Sequence, residues 1–180
     1  MEGWEAPVDG GERRVRFRRQ DYVLTPIGPD DPERIASAAG EPAFARRFDP
    51  ERFVAGLAVA EDSRPDRELG FYAVAHSGDP SVLDDTLIFV VPPARGRGLS
   101  HLLIYGVYQD LLKRPGMFCL SEPGEMPRLD LHVRCGFAPP VRPLVDGRIR
   151  VGKYDLHTVL ARLESEDEIV PLPPLDDVSW

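Results

Sequence analysis

The sequence predicts an α/β domain with a mixed, mostly antiparallel central sheet flanked by helices. Three observations carry that prediction. Short runs rich in Val, Ile, Leu, Phe and Tyr recur between turns marked by Gly, Pro and Asp, as strands of a meander do. From Leu99 the spacing of apolar residues changes to that of a helix. Near the C-terminal end, Asp146-Gly147 is a strong hairpin signal. A length of 180 residues with 42% hydrophobic content suits one domain around one core.

Taken in order, Val15 to Ile27 carries strand-formers and stops at the turn Gly28-Pro29-Asp30-Asp31-Pro32, with a short helical stretch over Glu33–Ala39. The arginines of Arg13–Arg19 alternate with apolar residues, which describes a charged edge strand protected from aggregation; an anion-binding arm is the other reading. Asp49-Pro50-Glu51 opens a helical turn, and Phe53–Leu57 leads into a strand at Ala58-Val59-Ala60. Leu69–Ala75 and Thr86–Val91 are the next strands, giving a central antiparallel meander. An amphipathic helix runs from Leu99 and ends at Pro115-Gly116. A strand at Met117–Leu120, a helix over Pro127–Arg134 and a final ribbon of Val141–Leu144 and Arg148–Leu163 complete the order. Residues 1–14 and 164–180, rich in Gly, Pro and acidic residues, read as tails around a domain spanning 15–163.

The formal charge of −8 argues against nucleic acid as a partner, because phosphate neutralisation needs a basic surface. No apolar run of about 18 residues occurs and the N-terminus lacks the order of a signal peptide, so a cytoplasmic protein with no membrane partner is expected. Cys119 and Cys135 lack disulfide or zinc spacing and read as packing residues; no metal is expected.

The segment with chemistry is Leu87 to Ser100: a strand, a turn rich in glycine, then a helix. That order puts unpaired backbone N–H groups and the positive end of a helix dipole where an anion can sit. Gly96 and Gly98 let backbone approach phosphate oxygens, and Arg95 and Arg97 add charge, a combination suited to pyrophosphate. The dinucleotide fingerprint fails because His101 stands where its third glycine belongs, and no Gly-Lys-Ser/Thr of a P-loop is present.

On those residues the sequence resembles the GCN5-related N-acetyltransferase (GNAT) superfamily, whose hallmark is Arg/Gln-x-x-Gly-x-Gly/Ala after a strand ending in Val-x-Pro. Val90-Val91-Pro92-Pro93-Ala94-Arg95-Gly96-Arg97-Gly98-Leu99-Ser100 matches that register, with Ser100 where Gly or Ala is usual. Leu131-His132-Val133-Arg134-Cys135-Gly136-Phe137 is similar to the family's Leu-Tyr-x-Lys-x-Gly-Phe, with His132 in place of the tyrosine. Glu125 stands where an asparagine is expected, and Pro123, Pro127, Pro139 and Pro140 make this half atypical.

The resemblance implies an acyl-CoA-binding fold and N-acetyl transfer from acetyl-CoA to the amine of a small molecule, by direct attack in a ternary complex. It implies donor contacts from Phe89, Val90, Val91, Arg95, Gly96, Arg97, Gly98, Leu99 and Ser100, with the Val91 amide polarising the thioester carbonyl. The acceptor amine needs a general base: Glu122 is the first candidate and Asp84 or Asp85 the second, with an exposed loop carboxylate as the alternative reading of Glu122. At the tyrosine position, His132 is a candidate proton donor to the leaving thiolate, against a histidine that only packs. His76, His101 and His157 read as structural, and Tyr105 and Tyr108 as packing along the helix. Two other function classes share the donor groove: an enzyme of this fold that takes a carrier-protein thioester or decarboxylates, and a non-catalytic acyl-CoA sensor or interaction protein. A homodimer through exposed strand edges is the expected assembly.

Overall fold

The computed structural model describes residues 11–121, 132–137 and 148–173. Its main sheet has six strands: β1 (Arg13–Phe17), β2 (Gln20–Pro26), β3 (Phe53–Glu61), β4 (Glu68–Ala75), β6 (Asp85–Val90) and β9 (Val170–Pro171), ordered β6-β4-β3-β2-β1-β9. Every pair in it is antiparallel. A second sheet places β7 (Met117–Ser121) between β5 (Val82–Leu83), which it meets in parallel, and β8 (Arg148–Val151), which it meets antiparallel. The mixed, mostly antiparallel sheet expected from the sequence is therefore present.

Helices cover both faces. On one, α2 (Leu99–Leu112) lies across β3, β4 and β6, and α3 (Lys153–Glu166) packs on α2; Leu102, Leu103 and Tyr108 share a core there with Leu57, Tyr72 and Leu160. On the other, α1 (Asp31–Ala38) and two 3₁₀ turns, Pro42–Arg47 and Pro50–Arg52, close a smaller cluster around Ile35, Phe48, Phe71 and Phe89. Gly106 lets α2 approach the sheet closely. A Cβ there would come within 2.6 Å of a Leu57 methyl and 2.9 Å of one on Leu24.

Where the structure departs from the sequence reading, local chemistry gives the reason. Val15–Ile27 is two strands, because Arg18 and Arg19 both take positive φ (49° and 66°) and close a tight hairpin. Two positive φ angles match the right-handed twist of the flanking strands. The expected edge strand is second from the edge, since Val170 and Pro171 pair outside it. Its arginines are matched to acids: Arg14 grips Asp62 at 2.9 and 2.7 Å, Arg16 meets Asp21 and Arg13 meets Asp110.

Arg148–Leu163, read as a strand, turns helical at Lys153. Leu156, Val159, Leu160 and Leu163 fall at helical spacing and are buried together, while the Asp155 carboxylate accepts from the Gly152 amide at 2.8 Å and caps the start. The expected domain limit at 163 falls inside this helix, and Ile169 beyond it is buried, so the chain is docked through Pro171. At the other limit, β1 starts at Arg13, inside the expected tail. Of the expected Pro127–Arg134 helix, 132–134 are helical; residues 127–131, Val141–Leu144 and the Asp146-Gly147 turn lie outside the described residues. Among the described residues, no helix is long and apolar enough to cross a membrane.

Candidate functional site

β6 is where the two sheets part. Val82 and Leu83 of β5 pair with Met117 and Phe118, and the chain passes from β5 through Asp84 straight into β6, yet β6 and β7 share no ladder. Among the described residues β6 therefore pairs in a ladder with β4 alone. Val91 donates its N–H to the Leu69 carbonyl at 2.9 Å, in line with the Gly70↔Val90 and Phe71↔Phe89 register. By the alternation of an antiparallel ladder, Thr86, Ile88 and Val90 turn their N–H and C=O groups away from β4. The Val91 amide, expected to face a thioester, is committed to β4 instead; Val90 is the residue whose amide is aimed into the fork.

Pro92 and Pro93 have no N–H to continue the ladder, so the strand ends and a 3₁₀ turn, Pro92–Ala94, redirects the chain. Gly96 and Gly98 follow with φ of 83° and 78°, angles that a side chain disfavours. Gly98 is the N-cap of α2; no side chain caps the helix and its first turn holds no acid. Among the described residues no side chain caps these first-turn amides, and an uncapped helix N-terminus favours an anion. Leu99 is buried in the core and contributes backbone, and Ser100 is half-buried.

The two arginines of this segment do different work. Arg95 folds back along β6: its Nε donates to the Val90 carbonyl and its Nη2 to Glu41, both at 2.9 Å, beside the Phe89 ring. Arg97 reaches across to Glu61 at 2.9 Å. A third arginine arrives from the β1–β2 hairpin. The Arg18 Nη1 donates to the Arg97 carbonyl at 3.2 Å and lies 2.9 Å from where a Gly98 Cβ would be. Sequence reasoning missed Arg18 as a site residue, because within Arg13–Arg19 only a positive-φ turn at residues 18 and 19 separates it from the ion-paired strand.

His132 and Asp84 are both enclosed by protein partners. His132 is fully buried beneath the fork, with Nδ1 2.5 Å from the Tyr108 hydroxyl and Nε2 3.3 Å from that of Tyr72. Its ring stacks on Tyr108, whose own ionisation burial pushes far up. Both ring nitrogens thus meet phenols in the core, one from β4 and one from α2. The Asp84 carboxylate accepts from the Ser77 amide at 2.7 Å, from the Ser77 hydroxyl at 2.6 Å and from Arg148, and its side chain is 2% exposed. Asp85 opens β6 and is half-buried. Glu122 lies outside the described residues.

Tyr105 is buried and donates to Glu164 at 2.8 Å; His101 meets Asp167 at 2.6 Å. His76 follows β4 and is half-buried, whereas His157 is exposed on α3, where a strand was expected. Cys119 and Cys135 are buried, and burial pushes the Cys135 thiol up to about 12, so it stays protonated.

No family model and no curated protein matches the sequence. Solved structures match its architecture. The GNAT domain of PAT from S. lividans superposes with a TM-score of 0.52 at 18% identity, covering 77% of this chain and 94% of that one. RimJ from Mycobacterium smegmatis, solved in complex with CoA-disulfide, gives 0.54 at 12% identity over 88% and 95%. The chain has the GNAT fold. A chimera of the spermidine N-acetyltransferase SpeG from Vibrio cholerae and hSSAT gives 0.50 at 11% identity over 76% and 98%. Within this GNAT fold, Arg95–Ser100 spans the end of the connection from β6 and the first residues of α2, and His132–Phe137 forms a helical turn packed under the fork.

Proposed function

We propose that the protein is an acyl-CoA-dependent N-acyltransferase that moves acetyl from acetyl-CoA to the amine of a small molecule by direct attack in a ternary complex. One observation carries the reading: β6, which among the described residues forms a ladder only with β4, runs into a glycine turn at the uncapped N-terminus of α2. The donor's pantetheine amides pair with the outward backbone of Ile88, and its pyrophosphate rests on the amides of Gly96 to Ser100 beside Arg18 and Arg97. Phe89 and Leu99 hold strand and helix from behind, and Arg95 fixes the bend by gripping the Val90 carbonyl.

The neutral amine attacks the thioester carbon, the carbonyl oxygen gains charge, and the C–S bond breaks to release the thiolate. The Val90 amide donates to that oxygen, an interaction worth roughly 3–4 kcal/mol in the transition state. Glu122, directly or through water, takes the amine's proton, and the thiolate is protonated from solvent. In this scheme His132 positions Tyr72 and Tyr108.

A second reading is a non-catalytic acyl-CoA sensor, favoured by the commitment of His132 and Asp84 to structural bonds. Calorimetric titration with acetyl-CoA and free coenzyme A, in wild type and Gly98→Glu, tests the donor site. Micromolar binding that the variant loses is expected; folded wild type that binds neither ligand removes the reading. Turnover of any amine by the binding-competent protein separates enzyme from sensor.

A further inference from the structure

A cavity of about 280 Å³ opens on the flank of the glycine turn, between the β6–α2 connection and the β3–β4 turn. Arg64 and Arg67 come from one wall and Arg97 from the other, facing a single carboxylate, Glu61; Leu69, Val91, Pro93 and Ala94 supply apolar surface. We infer that this cavity is a phosphomonoester-binding site, with Arg64, Arg67 and Arg97 as its anion ligands and the apolar wall holding the organic part of the ligand.

The charge arrangement supports a ligand over a structural role. Glu61 is matched by Arg97 at 2.9 Å. Of the neighbouring acids of the turn, Asp62 is taken by Arg14 at 2.7 Å and Glu68 by Arg34 at 2.6 Å, while Asp66 is exposed and does not line the cavity. Arg64 and Arg67 make no ion pair among the described residues, and both are exposed. Three guanidinium groups thus meet one carboxylate in a chain whose net charge is −8. A phosphomonoester is close to dianionic at neutral pH, and planar guanidinium forks match its oxygens in pairs. The Ser63 hydroxyl on the same rim adds a donor. This site is built from side chains and is separate from the backbone amides of the glycine turn, with Arg97 forming the shared wall.

Two sources supply such a group. One is the 3′-phosphate of the donor's own nucleotide, an assignment that rests on the acyltransferase reading; the other is a separate phosphorylated small molecule. The probes are adenosine 3′,5′-bisphosphate, coenzyme A and 3′-dephospho-coenzyme A, titrated calorimetrically into wild type and the double variant Arg64→Ala/Arg67→Ala at low salt. Circular dichroism melting checks that the variant folds, and neither arginine has an ion pair to lose among the described residues. The expected result is wild-type binding of the bisphosphate that weakens about tenfold or more in the variant. If coenzyme A also outbinds its dephospho form in wild type, and the variant erases that preference, the phosphate is the donor's. If the bisphosphate response is kept while both coenzyme forms bind alike, the site serves a separate ligand. Wild type that ignores the bisphosphate, or a variant that binds it equally well, overturns the assignment. Dephospho-coenzyme A binding, and its loss in Gly98→Glu, reports on the donor groove independently, so the two readings fail separately.

Discussion

The two ends of β6 use charge in opposite ways. At the C-terminal end, glycines with positive φ lead into an uncapped helix, and Arg18, Arg64 and Arg67 are exposed and make no ion pair among the described residues. At the N-terminal end, Asp84 is sunk in the structure with every contact filled by Ser77 and Arg148. Charge near a cleft is available for a ligand only where the fold leaves its hydrogen bonds unmade.

Breaking the open end should have the largest effect. Gly98→Glu forces a side chain into a left-handed backbone position, crowds the Arg18 guanidinium and sets a carboxylate against the donor's phosphates. We expect acetyl-CoA affinity to fall about 100-fold or more, read by calorimetry. Breaking the closed end should act on stability instead. Asp84→Ala strands the Ser77 donors and Arg148 and should cost about 3 kcal/mol in urea unfolding, with ligand affinity retained in protein that folds. A loss of affinity without a loss of stability would reverse the comparison at this end.

Between the two ends, His132→Phe removes the partner of two buried phenols. It should lower unfolding free energy by about 2 kcal/mol. A variant with wild-type stability and reduced turnover would instead restore His132 as a proton donor. Arg18→Ala should weaken coenzyme A binding by about three- to tenfold, more at low salt, with little change in melting temperature.

The smallest effect concerns pH. Hydrogen bonds from Arg14 hold the Asp62 carboxyl below its usual range, and Arg16 does the same for Asp21. A depressed carboxylate stabilises the fold above its unfolded pKa of about 4 and loses that contribution as pH falls through its folded value. Melting temperature should therefore decline below about pH 4, less steeply in Asp62→Asn.

The better-read parts of the sequence are those where backbone requirements are strict. Gly96, Gly98 and the prolines before them mark a turn that few other residues could form, so its place between strand and helix was legible, as was the meander of alternating apolar runs. The segment from Arg148 was not. Val151, Tyr154 and Val159 favour a strand by propensity and Asp146-Gly147 suggests a hairpin, but the buried series Leu156, Val159, Leu160 and Leu163 outweighs both. Side-chain roles were harder still. Nothing in the spacing around Asp84 or His132 reveals that Ser77, Arg148, Tyr72 and Tyr108 converge on them from other strands and helices. Nor does it reveal which arginine of Arg13–Arg19 escapes its acid, since that depends on a hairpin register.

The missing side chain at Gly106 acts over a distance. It lies eight residues from Gly98, about 12 Å along the helix axis, at the point where α2 rests on Leu24 and Leu57. A stiff rod resting on a fulcrum transmits any change in the height of that fulcrum to its tip. A methyl group inserted beneath α2 at 106 would tilt the rod and swing the anion-facing turn out of line with the edge of β6, without touching either one.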